Sequence, residues 1–213
     1  MKTTLSILLI GAALAFGCSH KVNVEKTEPT APVSNKITGS VLVYLPPEIA
    51  SYSYEVPVTS TVCAGETFTV NLGETFTNTL RKALSSSCMN VTYTDVKPKA
   101  EWMQEQRVSF LIVPKVHNVS GEINFAKGMG STETKSTFFT SMTFDVLDRS
   151  EKSFYGFTVN ASGSVMGKGT CSEGADLIGK AVAQTMQEIQ DSVVTRLTTS
   201  DKLKEMSSLE IVK

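Results

Sequence analysis

Six apolar residues near the end of the chain, Ile178, Val182, Met186, Ile189, Val193 and Leu197, recur at steps of four, four, three, four and four. That is the amphipathic helical period, sustained from about Glu173 to Thr198. The reverse face carries Lys180, Gln184, Gln187, Asp191 and Thr195. A helix so patterned lays one stripe on a partner layer and leaves the other in water. The three segments before it supply that layer. Val108, Phe110, Ile112 and Val116 share one face of a strand, with Leu111 and Val113 on the other, the pattern of a central strand. Phe138, Met142, Phe144 and Val146 alternate in a second strand, and Tyr155, Phe157, Val159, Ala161 and Val165 in a third. The polar turn Asp148–Glu151 has hairpin length, so the three strands read as an antiparallel meander.

Upstream, Ser40 to Leu45 is apolar on both faces and ends at Pro46-Pro47, as a buried strand would. Tyr52, Tyr54, Val56 and Val58 alternate with polar residues, and Thr67 to Leu72 and Asn90 to Val96 are also strand-like. Between the last two, Phe76, Leu80, Ala83 and Leu84 form a helical stripe. A short terminal helix from Asp201 to Ser207 has Ser200 in position to cap it. The expected class is α+β: a two-layer antiparallel sheet of about four to six strands with a C-terminal meander, packed by one short and one long helix. A chain of 213 residues suits one such domain.

The N-terminal stretch gives an address. Lys2 supplies a basic start, Leu5 to Phe16 is uncharged and apolar, and Leu14-Ala15-Phe16-Gly17 leads into Cys18. A run of about a dozen apolar residues suits a secretory signal and falls short of the ~20 that a spanning helix needs. The small residues before Cys18 resemble the lipobox of bacterial lipoproteins, which implies cleavage after Gly17 and acylation of Cys18, palmitate among the chains. The alternative is an ordinary signal peptide cut near Ala15 or Gly17, leaving a free cysteine. Residues 1–17 are thus expected to be a signal peptide. Residues 18–36, polar with Pro29 and Pro32, are expected to be a solvated tether from Cys18, and residues 37–213 the single folded domain.

Export decides how the cysteines are read. Cys63, Cys88 and Cys171 remain beside Cys18, so an oxidising compartment predicts one disulfide, involving Cys63, and one leftover thiol. Cys63–Cys88 and Cys63–Cys171 both stay open. Charge is near neutral, −1 for the chain and −2 once Lys2 is removed, which excludes a basic footprint for nucleic acid. Chemistry is sparse. His20 and His117 are the only histidines, too few beside scattered acids and unclustered cysteines for a metal site or a nucleophile–base pair. Gly128-Met129-Gly130 and Gly167-Lys168-Gly169 lack the setting and the ending of a phosphate loop. No catalytic residue, no metal site and no cofactor are expected, and the chain reads as a non-enzyme.

Strands, a helix near 74–86, a strand, a meander and a long C-terminal helix, following a lipobox, resemble the small outer-membrane lipoproteins of Gram-negative bacteria. The outline is nearest the YajG-like group, with LptE-like and lipid-transport auxiliary lipoproteins as looser cousins. The resemblance spans about Gly39 to Leu203 and rests on element order with the segments Leu72–Leu84 and Ala175–Leu197. It implies a periplasm-facing, lipid-anchored accessory protein supporting an outer-membrane assembly or transport machine, with an envelope protein as partner. A carrier holding a lipid or glycan in a groove between sheet and helices is the alternative, and a hydrolase the distant one. Gly121 to Ser136 reads as a mobile loop between strands. Its Phe125 and Met129 are the expected partner-docking residues, unless they are tucked against the sheet edge.

Overall fold

Along residues 18–31, 33, 35–127 and 132–208, which this computed structural model describes, the elements alternate between strands and helices. The first part is β1 (Ser19–Val22), β2 (Ile37–Tyr44), α1 (Pro47–Ala50), β3 (Ser53–Val56), β4 (Thr67–Asn71), α2 (Leu72–Ser87) and β5 (Cys88–Thr94). Then follow α3 (Ala100–Glu105), β6 (Phe110–Lys127), β7 (Thr132–Leu147), β8 (Ser153–Lys168), α4 (Gly174–Thr199) and α5 (Asp201–Ser208). The strands form a five-stranded sheet in the order β5-β2-β6-β7-β8 and a three-stranded sheet in the order β1-β4-β3. A parallel bridge between Val58 and Ile123 joins them.

The α+β class holds, and β6-β7-β8 is the antiparallel meander read from the sequence. The remaining pairing is not antiparallel throughout: β2 runs parallel to both β5 and β6, and β1 parallel to β4. The reason for the first is connectivity: β5 and β6, on either side of β2, are joined through α3, a crossover that brings the chain back to the same end. β2 is covered on both faces, Val41 and Val43 by the main core and Leu42 by Met103 and Val108, which is why Ser40–Tyr44 carries apolar residues on both.

The inner face of the large sheet presents Phe110, Ile112, Ile123, Phe125, Phe138, Met142, Phe144 and Val146, all buried. Onto it α4 lays the stripe Ile178, Val182, Met186, Ile189, Val193 and Leu197, and α2 adds Phe76, Leu80, Ala83 and Leu84, all buried in one core. The opposite face is covered at one end only, where α3 and the turn after it cap Leu42 and Leu111 with Met103 and Val108. Elsewhere that face is polar. Along the outer edge of β8, the Ser162 and Ser164 amides donate to the Glu188 carboxylate (2.7 Å) and the Gln184 side-chain carbonyl (3.1 Å) of α4.

Two expectations are corrected here. Residues 18–36, expected to be a solvated tether, are held to the domain along most of their described part. Ser19–Val22 is a strand with its register on Thr67–Val70, and Val22 is buried. Beyond it the chain runs along α4: Asn23 lies so close that a Cβ on Gly179 would collide with its carbonyl. Farther on, Asp191 accepts the amides of Thr30 (2.9 Å) and Ala31 (3.1 Å) and the Thr30 hydroxyl (2.7 Å), and Lys82 of α2 donates to the Thr27 carbonyl (2.7 Å). This segment is a strap, held by these polar contacts and by Val22, Val24, Ala31 and Val33, which pack on the core.

The second correction concerns Gly121–Ser136. The β6–β7 hairpin continues through it, with Phe125 opposite Thr134 and Lys127 opposite Thr132. Phe125 is 1% exposed, its ring 6.3 Å from that of Phe68. It therefore belongs to the core and is not a docking residue. Met129 lies outside the described residues, as does the expected signal peptide.

Candidate functional site: the anchor end and the groove beneath the strap

Chemistry-bearing residues gather at one end of the molecule. Cys18 is exposed and immediately precedes β1. Its carbonyl already accepts the Thr67 amide at 3.1 Å, so its backbone is fixed to the sheet. Two residues on, His20 stacks over Phe68 with ring centroids 5.0 Å apart and bonds the Glu66 carboxylate at 2.6 Å. Phe68 and Phe125 in turn meet the start of α4. A Cβ on Gly174 would fall 2.7 Å from the Phe125 ring and 2.9 Å from that of Phe68, so only glycine permits the helix to begin there.

Beside this cluster the pairing left open by the sequence is resolved: Cys63 bonds Cys171, with Cα atoms 5.6 Å apart and a sequence separation of 108. A loop that long is stabilised by about 4–5 kcal/mol in the chain-entropy model. Cys63 sits at φ 63°, a left-handed conformation that a non-glycine residue adopts at some cost, in a turn closed by the Glu66 amide on its own carbonyl. The Ser60 hydroxyl accepts the Phe125 amide and the Thr59 amide donates to the Ile123 carbonyl, pinning the rest of this loop to the hairpin. At the other half of the disulfide, Thr170 and Glu173 form a reciprocal capping box. The Glu173 carboxylate takes the Thr170 amide, which together with the Thr170 hydroxyl holds it below its usual pKa. The segment after Gly167-Lys168-Gly169 is therefore a capped turn whose free amide is occupied by the protein itself.

Cys88, the leftover thiol, is buried. Burial pushes its pKa up to about 12, Lys36 opposing only in part. His117 is exposed at the register shift of β6, where it bonds the Thr143 hydroxyl at 2.6 Å. The two histidines thus sit apart, each on a local partner. Among the described residues no group of three or more His, Cys, Asp or Glu side chains is arranged to hold a metal ion. No described helix is long and apolar enough to cross a membrane.

A cavity of about 470 Å³ lies under the strap, walled by β4, α2 and α4. Asn71, Asn78, Thr75, Lys82 and Gln190 are among its lining residues. Gln190 is 1% exposed. Its amide nitrogen reaches the Thr27 carbonyl at 3.4 Å, while its Oε1 has no hydrogen-bond partner. A buried amide oxygen left unpaired costs about 1–3 kcal/mol, and Gln190 Oε1 is itself shut off from the open space of the cavity. The sequence read a groove between sheet and helices but not this residue. Gln190 occupies a polar position between the apolar Ile189 and Val193, and nothing in the period marks it as buried.

No family model matches the chain, and no curated protein matches it. Solved structures align with it distantly. A protein named as a homolog of the neuraminyllactose-binding hemagglutinin of Helicobacter pylori aligns at TM-score 0.43 and 9% identity, over 91% of this chain and 100% of its own. A hypothetical protein from Chlamydia trachomatis aligns at TM-score 0.42 and 12% identity, over 75% of this chain and 96% of its own. A minor lipoprotein from Acinetobacter baumannii aligns at TM-score 0.40 and 8% identity, over 75% and 92%. Likenesses this distant assign neither a family nor an activity.

Proposed function

We propose that this chain is a lipid-anchored protein of the bacterial outer membrane, attached through acylated Cys18. In this reading it is a non-catalytic accessory module of an envelope assembly or transport machine, as its resemblance to YajG-like lipoproteins implies. The supporting observation is the place of Cys18: exposed, directly after the signal-like segment, and with its backbone already in the β1–β4 ladder. Each buried CH₂ contributes about 0.8 kcal/mol, so several acyl chains make detachment negligible. Cys18→Ala combined with replacement of residues 1–17 by a signal that the ordinary peptidase cleaves should leave a mature, unlipidated protein that washes off membranes in high salt. If that variant still sediments with membranes, lipid on Cys18 is not what holds the protein. The partner is an envelope protein, to be captured by crosslinking in intact cells.

A second reading, a ligand carrier, is favoured by the cavity beneath the strap and its polar lining. The amides, hydroxyls and lysine of that lining suit a hydroxyl-bearing glycan better than an acyl chain. Native mass spectrometry of protein extracted from its own membrane would show a bound mass. A spectrum of the bare lipidated protein alone would remove the carrier.

A further inference from the structure

With the strap folded onto the domain, the anchoring atom has no free chain between it and the sheet. Eighteen extended residues would reach ~60 Å, yet here the residue after Cys18 is already paired with Thr67. Whatever holds Cys18 therefore holds the molecule by one end. The long axis is set by β7 and β8. From Thr134, level with Phe125, to Leu147 the chain climbs about 45 Å at ~3.3 Å per residue. The strap follows the same axis, passing Gly179 early in α4 and Asp191 late in it. Cys18 is thus at the end marked by Phe68, Phe125 and Gly174, and the Asp148–Lys152 turn is at the other.

Resting on the Cys18 anchor proposed above, we infer that this end is a membrane-abutting foot, with a phospholipid surface as its partner, and that the sheet stands away from the bilayer. Its surface suits the place. The loop at Cys63 exposes Thr61, Ala64 and Gly65, and the segment at Cys171 exposes Thr170 and Ser172, all small and uncharged. Glu66 is paired with His20, and Glu173 is turned back onto Thr170. The disulfide ties these two exposed segments to each other, and bonds from Thr59 and Ser60 tie one of them to the hairpin, so the foot is rigid. Lys168 is matched by Glu133 across the β7–β8 pair, and Glu173 and Asp176 are exposed at the start of α4, so this end offers anionic headgroups no basic attraction. Contact is imposed by the anchor.

The test is paramagnetic broadening of backbone amides by gadolinium-chelate lipids, using isotope-labelled, membrane-extracted protein in nanodiscs. Intact mass on the same sample reports acylation. The expected result is an acylated Cys18, near-complete signal loss at Thr61, Gly65 and Ser172, and full signal at Ser150 and Lys152. Uniform broadening along β8 would mean that the molecule lies flat, and broadening confined to the Asp148–Lys152 end that it is inverted. Either outcome, with acylation present, overturns the foot and spares the anchor. A Cys18 without acyl mass overturns both.

Discussion

Thr134 and Ser136 sit on the inner face of β7, 1% and 0% exposed, and their hydroxyl oxygens have no hydrogen-bond partner. Each is a polar group taken out of water with nothing returned, at a cost of about 1–3 kcal/mol. Thr134→Val keeps the branched shape, and Ser136→Ala removes one atom, so neither leaves a large void. The double variant should therefore be more stable than the parent, by about 2–4 kcal/mol once the void left at position 136 is discounted. For a domain of this size ~1 kcal/mol moves Tm by about 2–4 °C, which puts the expected rise between about 4 and 16 °C. Urea denaturation followed by tryptophan fluorescence and circular dichroism would measure it, with an unchanged m-value showing that the compactness of the two states is preserved. A midpoint equal to or below that of the parent would refute the argument. It would mean that both hydroxyls are satisfied in solution by a buried water bridging them.

Phe125→Ala should lower stability by about 3–5 kcal/mol in the same urea assay, because a fully buried ring against Phe68 and Gly174 is removed. A change under ~1 kcal/mol would return Phe125 to the surface. In unacylated native protein at pH 8, maleimide should label Cys18 alone, with Cys88 reacting only after denaturation, since its pKa near 12 keeps it a buried thiol. Two adducts on the native protein would show that the α2–β5 junction opens. Burial by itself would raise the Asp191 pKa, but the bonds from Gln187, Thr30 and Ala31 outweigh it and lower it. A lowered carboxylate stabilises the fold above its unfolded pKa of about 3.9 and loses that contribution as pH falls through the folded value. Exchange of the Thr30 and Ala31 amides should accordingly accelerate below the ordinary carboxylate range. Asp191→Asn should abolish that acid step, and an unchanged profile would mean that the strap is held elsewhere.

The elements that bury an apolar stripe were legible in the sequence. α4 and α2 lie within a residue or two of their expected bounds, and β6 is central, as its two apolar faces required. What the sequence hid was held by other means. The strap was not legible because only Val22, Val24, Ala31 and Val33 pack on the core, and Asp191 and Lys82, about 160 and 55 residues away, satisfy parts of its backbone. The far half of the β6–β7 hairpin looked like a loop because its inner face carries Gly121, Thr134 and Ser136 where Val or Ile would be expected. The parallel pairing of β2 is set by neighbours in space, which no local pattern encodes. At the anchor end the lipobox-like stretch drew the eye to Cys18, but the shared position of Cys18, the disulfide and the start of α4 followed only from the fold.

The amides of Ser162 and Ser164, bound by Glu188 and Gln184, change what β8 offers to other molecules. A sixteen-residue strand at the margin of a sheet is ordinarily a template on which a second chain can zip. Here the helix that covers the inner face also turns two of its side chains over the rim and takes two neighbouring donors that an incoming strand would need there. Strand addition along that stretch of β8 is thereby blocked, and the other sheet margins among the described residues are β5, β1 and β3.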